Sequence, residues 1–360
     1  MDNHFNKLAE SVLQIKIGST VQAKNNLNTL IKSLHNIDND LLDLQYFLFS
    51  SALLKRIDGY TAENIYLQNH DEISQIDLFQ LLSTHVPFVS LTHPIANELI
   101  CQALHNLTNV TLLNIGIGKG LQEVDLLRRL VKKGIKLQQL TIVGIEPSEE
   151  NLLEAESNIL KASEEVDFDI KFIPFPKLVE DLSEREWLFL DSLNGDFIIN
   201  EAFSLHHIVD RKQGNDTRQE ILSKISKLNP MAFILVEPNW DHNISDLWYR
   251  FKNAWINYGL LFEAISQLDM PKKLKFLLIN NFFGREIEDV LGNSEETRCE
   301  RHESVDIWLQ RLYKEGFKPF DLSSINLTNF SHPVGNVVTR DSYIGIECAD
   351  TALIAIIAVN

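Results

Sequence analysis

The segment Val110–Gly120, VTLLNIGIGKG, constrains the fold more than any other stretch of the chain. Val110, Leu112, Leu113 and Ile115 make an apolar run of strand length that ends at three glycines, Gly116, Gly118 and Gly120. A helical pattern follows at once: Leu121, Val124, Leu127, Leu130 and Val131 recur at three and four, and Gly134 closes it. Without a Cβ, backbone at such a junction can turn tightly and leave bare N–H groups facing a ligand. The helix starting at Leu121 aims the positive end of its dipole at the same point. The pattern predicts a strand–turn–helix pocket for a nucleotide-like group.

The spacing narrows the choice of ligand. The dinucleotide fingerprint is G-x-G-x-x-G, whereas Gly116, Gly118 and Gly120 are one residue closer in the second gap, and no G-x-x-x-x-G-K-[ST] run exists. The shorter form resembles the first motif of Rossmann-like methyltransferases. That resemblance implies S-adenosylmethionine or S-adenosylhomocysteine, with Asn114 and the three glycines around the methionine end. A second strand, Leu140–Ile145, ends at Glu146, before Pro147 and Ser148 break it. An acid at that strand end projects into the crevice at the carboxyl edge of a sheet and can accept both ribose hydroxyls. The alternative is purely structural: glycines are common turn formers, and Glu146 caps a helix starting near Ser148.

Composition limits the partners. Lys and Arg number 33 against 50 Asp and Glu, a net charge of −17, which argues against a nucleic-acid partner. The basic residues Arg128, Arg129, Lys132 and Lys133 fall in the last turns of a helix, where cations favour the dipole. Cys101, Cys299 and Cys348 show no paired or metal-type spacing, as in a reducing compartment. The opening residues MDNHFNKLAESV lack a signal-peptide pattern, and no apolar run is long enough to span a bilayer. The expectation is a soluble, cytoplasmic protein with no membrane partner.

Residues 1–108 read as helices throughout and predict an amino-terminal helical cap, with no strand signal before Val110. From 109 to 360 the reading is a Rossmann-like, methyltransferase-type α/β core with a mostly parallel sheet. Strands Leu112–Ile115, Leu140–Ile145, Ile170–Phe175, Phe197–Asn200 and Ala232–Glu237 alternate with helices at 121–133, 149–162 and about 217–228. An insertion of about 243–300, helical over 243–259 and 271–291, is expected to complete the cap. A helix over Ser304–Glu315 and the strands Ser342–Cys348 and Ala352–Val359 follow. The short Ala349–Thr351 connection makes that last pair an antiparallel hairpin.

Several motifs, in order, resemble the GRAS domain family. LAESV (Leu8–Val12), THPIANELI (Thr92–Ile100), VTLLNIGIGKGLQ (Val110–Gln122), SLHHIVD (Ser204–Asp210) and ILVEPNWDHN (Ile234–Asn243) match successive family segments. FFGREIEDV (Phe282–Val290) and ERHES (Glu300–Ser304) match G-R-E-I and E-R-H-E almost letter for letter. The glycines of the loop resemble a bacterial-type member related to working methyltransferases, whereas plant members carry gly-poor loops there. Two departures stand beside this: Asn114 replaces the strand-end acid of the first motif, and Ile357–Ala358–Val359 replaces the closing S-A-W. Resemblance to plant members implies a non-catalytic module of transcriptional control with a protein partner or a homodimer. Resemblance to methyltransferases implies methyl transfer to a small-molecule acceptor.

Methyl transfer needs alignment and, for some acceptors, a base. Glu201 and His206, after the fourth core strand, are the candidate catalytic bases, imidazole being tuned near neutrality. The alternative places His206 and His207 in the first turn of a helix. Glu237, Asn239 and Trp240 follow the fifth strand, where Trp240 could stack on a flat acceptor or close the core. Arg285 and Arg301 could clamp an acceptor carboxylate or pair with Glu286 and Glu303. His93 and Asn97, from the amino-terminal helices, could roof the same cleft. No H-x-x-x-H or H-E-x-x-H pattern occurs, so no metal is expected.

Overall fold

A computed structural model describes residues 3–59, 69–70, 73–210, 215–323 and 325–360. Helices α1 (Asn3–Lys16), α2 (Thr20–Ser33), α3 (Leu41–Asp58) and α4 (Gln75–His85) open the chain. Helix α5 (Thr92–Ala103) leads into β1 (Asn109–Ile115), α6 (Leu121–Lys133), β2 (Gln139–Ile145), α7 (Glu149–Ser163) and β3 (Asp169–Phe175). The alternation continues through α8 (Glu184–Asp191), β4 (Asp196–Ala202), α9 (Thr217–Lys227) and β5 (Ala232–Pro238). Helices α10 (Leu247–Ser266), α11 (Lys272–Leu277), α12 (Gly284–Gly292) and α13 (Val305–Lys314) precede strands β6 (Asn336–Thr339), β7 (Ile344–Cys348) and β8 (Thr351–Val359).

The sheet runs β3-β2-β1-β4-β5-β8-β7-β6. Its first five strands are parallel, while β8 lies antiparallel to β5, with Ile356 opposite Val236. This is the mostly parallel sheet with an antiparallel carboxyl-terminal hairpin that the sequence leads one to expect. Ala349 and Asp350 make the hairpin turn with φ of 47° and 62°, the left-handed pair that matches strand twist. From β1 the chain moves outward to β2 and β3, then returns to place β4 on the other side of β1. That reversal is a topological switch point, where the carboxyl ends of the strands open a crevice.

The chain divides into two compact units, residues 88–239, 304–347 and 354–360 in one and 1–87, 240–303 and 348–353 in the other. In the sheet unit, Leu113, Ile115, Val143, Ile199, Leu235 and Ile357 bury one sheet face under Trp187, Leu190, Leu222, Trp308 and Leu312 from α8, α9 and α13. Both faces of β1, β2, β4 and β5 are covered, which explains their continuous apolar runs. In the helical unit, α12 lies close on α3, because a Cβ at Gly292 would stand 3.0 Å from the Ala52 carbonyl oxygen. Phe49 packs edge-on against Phe251 and Trp255, with ring centroids 6.1 and 5.0 Å away.

Three sequence readings need correction. Asn69–His70 pairs with Ile73–Ser74 as a short antiparallel ladder, so the first 108 residues are not helical throughout. The helix expected over 271–291 is interrupted by a π-helical stretch at Leu278–Phe283, and the one expected over 243–259 begins at Leu247, where Asp246 accepts the Trp248 and Tyr249 N–H groups. Helix α8 and strand β6 were not read from the sequence. The Ser183–Glu186 capping box was the available signal for α8. No described helix is long and apolar enough to cross a membrane.

Leu235 is fully buried in the middle of β5. Leu235→Ala is expected to cost about 2–5 kcal/mol, read as a lower urea midpoint with an unchanged slope.

Candidate functional site

The β1–α6 turn is built by left-handed glycines, and two of them differ in what surrounds them. At Gly116, φ is +79° and an added Cβ would land on the Ser204 hydroxyl, so the site has been filled from β4's exit loop. The Gly116 and Ile117 N–H groups both donate to the Ile145 carbonyl, at 2.9 and 3.3 Å. At Gly118, φ is +53° and nothing lies within 4 Å of where a Cβ would be. Gly120 sits against Ala155 of α7, and its N–H donates to the Ile117 carbonyl at 3.0 Å.

Glu146 stands at the end of β2, 7 % exposed, and accepts the Ser148 N–H at 3.1 Å as α7 begins. Burial raises its pKa, opposed by the Ser148 N–H, the Asn151 side chain and the Gly118 N–H. The carboxylate is thus on the Gly118 side of the loop. The Asn151 side chain stands beside it, buried at the start of α7.

Asn114 is paired inside the sheet unit. Its amide donates to Glu123, which the first turn of α6 brings over β1. Burial pushes the Glu123 carboxyl up to about 7, against the Asn114 hydrogen bond. Beside this pair, the Gln122 amide donates to the side-chain oxygens of Asn97 and Asn200, both at 3.2 Å. Asn97 returns a hydrogen bond to the Gln122 backbone oxygen at 3.0 Å and another to Asp125 at 3.0 Å. Asn114 and Asn200 are register partners across β1 and β4, so the Asn114–Glu123 pair and the Asn97–Gln122–Asn200 set lie side by side as buried polar contacts among α5, α6 and the two central strands. His93, also on α5, is lowered to about 4 by burial, with Asp125 opposing.

The β4 exit carries the second group of candidates. The Glu201 carboxylate accepts the Ser204 and Leu205 N–H groups at 2.6 and 3.0 Å. Its pKa is held well up by burial and by the charge of Glu237, against those two N–H groups and His206. Phe203 between them has a φ of 58°, an unusual conformation for a residue with a side chain. Glu237 accepts the His206 N–H at 3.1 Å and pairs with the His206 ring through Nδ1. The Arg218 guanidinium donates to the Leu205 and His206 carbonyls at 2.9 and 2.8 Å and lies 5.6 Å from the Trp308 ring centroid. Asn239 accepts the Val305 N–H at 2.7 Å and so starts α13.

Trp240, Arg285 and Arg301 belong to the helical unit. Trp240 is buried against Tyr258 and His242, with ring centroids 5.3 and 5.7 Å away. Arg285 lies half-buried on α12. Arg301 donates to the Arg298 and Glu295 carbonyls and to the Asn243 side chain. The structure therefore brings Gly116, Gly118, Gly120 and Glu146 together at one turn, and Glu201, His206 and Glu237 at another. Asn114, Asn97 and Asn239 serve neighbouring contacts, and Trp240 and Arg301 pack within the helical unit. Glu123, Gln122, Asn200 and Ser204 were not singled out from the sequence. An acid in the first turn after the glycines was the signal for Glu123; Ser204 gave none.

The sequence profile described as the GRAS domain family matches residues 6–354. The DELLA protein RGL1 of Arabidopsis thaliana is 25% identical over 281 residues, covering 77% of this chain and 52% of its own length. The DELLA protein GAI of Solanum lycopersicum is 24% identical over 298 residues, covering 77% and 49%. This chain spans about half the length of these curated relatives. Their plant origin gives no support to a bacterial-type assignment. The crystal structure of SCL7 in Oryza sativa superposes with a TM-score of 0.82 at 19% identity, covering 100% of each chain, a likeness of fold.

Glu123 gives a pH test of the polar network. A carboxyl whose folded pKa is raised binds protons more tightly folded than unfolded, so stability falls as pH rises from about 4.5 to about 7. Glu123→Gln keeps an oxygen for Asn114 and removes that loss. The variant is expected to be more stable than the parent at pH 8, by up to about 3 kcal/mol. At pH 4 the two should have equal urea midpoints.

Proposed function

Because the chain belongs to the GRAS domain family, we propose that it is a regulatory, protein-binding module that keeps a methyltransferase-type scaffold without catalysis. One observation carries this reading: the groups that would receive a cofactor are used within the chain. The Gly116 and Ile117 N–H groups go to the Ile145 carbonyl, the Gly120 N–H goes to Ile117, and Ser204 fills the space above Gly116. The base candidates are engaged as well, Glu201 by two backbone N–H groups and His206 by Glu237. These hydrogen bonds satisfy the buried groups and hold the β4 exit loop in shape. The plant relatives and the Asn114 departure from the acidic first motif support the same reading.

Retained binding of an adenosyl group is the second reading, favoured by the open space at Gly118 beside the Glu146 carboxylate. On that reading S-adenosylmethionine would supply a methyl group and Glu146 would hold the ribose hydroxyls. The donor set fits such a group at Gly118 alone.

Calorimetry and thermal melts with S-adenosylmethionine and S-adenosylhomocysteine separate the two. The regulatory reading expects no heat and no shift in Tm with either compound. Saturable binding that Gly118→Val or Glu146→Gln abolishes, in variants with the parent's own Tm, would overturn it in favour of the second.

A further inference from the structure

Helix α7 carries its buried residues, Leu152, Ala155, Ile159 and Ala162, toward the sheet unit's core. Its outer face has a second apolar pattern that the described residues leave exposed. Leu153 is 67% exposed and Leu160 48%. With the exposed Ser157 between them, the spacing is four and then three residues, and exposed Glu150 and Glu164 extend the stripe in the same rhythm at its two ends. Two leucines seven apart on a solvent face, with a small residue between them, give a one-heptad stripe of the kind against which another helix can pack.

The charge around the seam selects the occupant. Glu149, Glu150, Glu154, Glu156, Glu164 and Glu165 lie on α7 or just past it, with Lys161 as the helix's one cation. Glu154 pairs with Lys119 and Glu165 with Arg128, while helical spacing puts Glu149 and Glu156 along one side of the leucines and Glu150 and Glu164 at the ends of the stripe. A second copy of this chain would set like charges against like, at a cost to association. A segment rich in Lys and Arg on the flanks of an apolar stripe gains on both counts, by burying Leu153 and Leu160 and by neutralising the rim.

We propose that the outer face of α7 is a docking surface for a basic amphipathic helix of a partner protein. This rests on the regulatory, protein-binding reading of the chain and names the chemistry of its partner. Leu153 and Leu160 are the anchors, Ser157 lets the two helix backbones approach, and the flanking glutamates set orientation and hasten encounter.

The test uses the full chain and a synthetic helical peptide with leucines spaced four and three apart and lysines flanking them. Fluorescence anisotropy is expected to give saturable binding that weakens as salt rises. The double variant Leu153→Ser/Leu160→Ser, changed at solvent-facing positions and keeping the parent's Tm, should bind at least about tenfold more weakly. The same peptide with glutamates in place of lysines should not bind. Equal affinity for the double variant or for a scrambled peptide of identical composition would overturn the proposal, as would no binding to the parent. So would sedimentation showing self-association of the parent that the double variant lacks. None of these outcomes alters the calorimetry with adenosyl compounds, so failure of this surface and failure of the regulatory reading are read separately.

Discussion

The Ser204 hydroxyl stands where a Cβ on residue 116 would be, and the carboxyl edge of the sheet depends on that contact. It requires glycine at 116 by space as well as by φ, and it fastens the turn after β1 to the loop after β4. The loop reaches that position only because Phe203 takes a φ of 58° and Glu201 captures the two N–H groups that follow. Strain at Phe203 costs on the order of 1–3 kcal/mol and persists where surroundings over-determine it. Here the surroundings are a buried carboxylate, a filled glycine site and the Arg218 guanidinium on the Leu205 and His206 carbonyls.

The same edge gathers acids that are costly to bury. Glu123, Glu201 and Glu237 are almost or wholly inaccessible to water, and the first two are pushed upward by desolvation. Such groups are tolerated where hydrogen bonds replace water, and each oxygen that lacks one adds to the cost. Glu123 and Glu201 each have one oxygen with no partner. An enzyme can hold such acids for proton transfer. In this chain their other oxygens bind the first-motif asparagine and the β4 loop, so they shape the crevice's walls.

How much of this was legible follows from the range of the interactions involved. Strands buried on both faces, such as β1 and β5, announce themselves as unbroken apolar runs, so the parallel sheet could be read directly. The glycines and Glu146 were legible because one short segment fixes each geometry. Ser204 was not, because its role comes from a neighbouring strand's exit meeting Gly116 across the sheet. The Asn114–Glu123 pair was not legible, since nothing local says that a carboxylate nine residues on folds back over Asn114. Trp240 shows the same limit: its position after β5 allowed either an exposed stacking surface or a core residue, and only the rings of Tyr258 and His242 place it in the core. Strand β6 escaped because NVVT is four residues long and none of them is buried, which leaves little pattern to read.

The β3 edge of the sheet is built against pairing with a further strand. On β3 the Asp169 N–H donates to Gln138 and the Phe175 carbonyl accepts from Glu146. Alternation therefore turns Ile170, Phe172 and Pro174 outward. Proline at an outward position offers no donor to an incoming strand, and the exposed Lys171 charges the same edge; both are means by which sheet edges resist pairing. With strand addition discouraged there, the surface on this side of the sheet is made by side chains of the covering helices. Side chains on a helix face can change without disturbing the sheet beneath, as the inward residues Leu152, Ala155 and Ile159 of α7 carry the packing. A fold whose core is held by buried strands can thus be kept at 19% identity, while the outward side chains of its helices are free to differ.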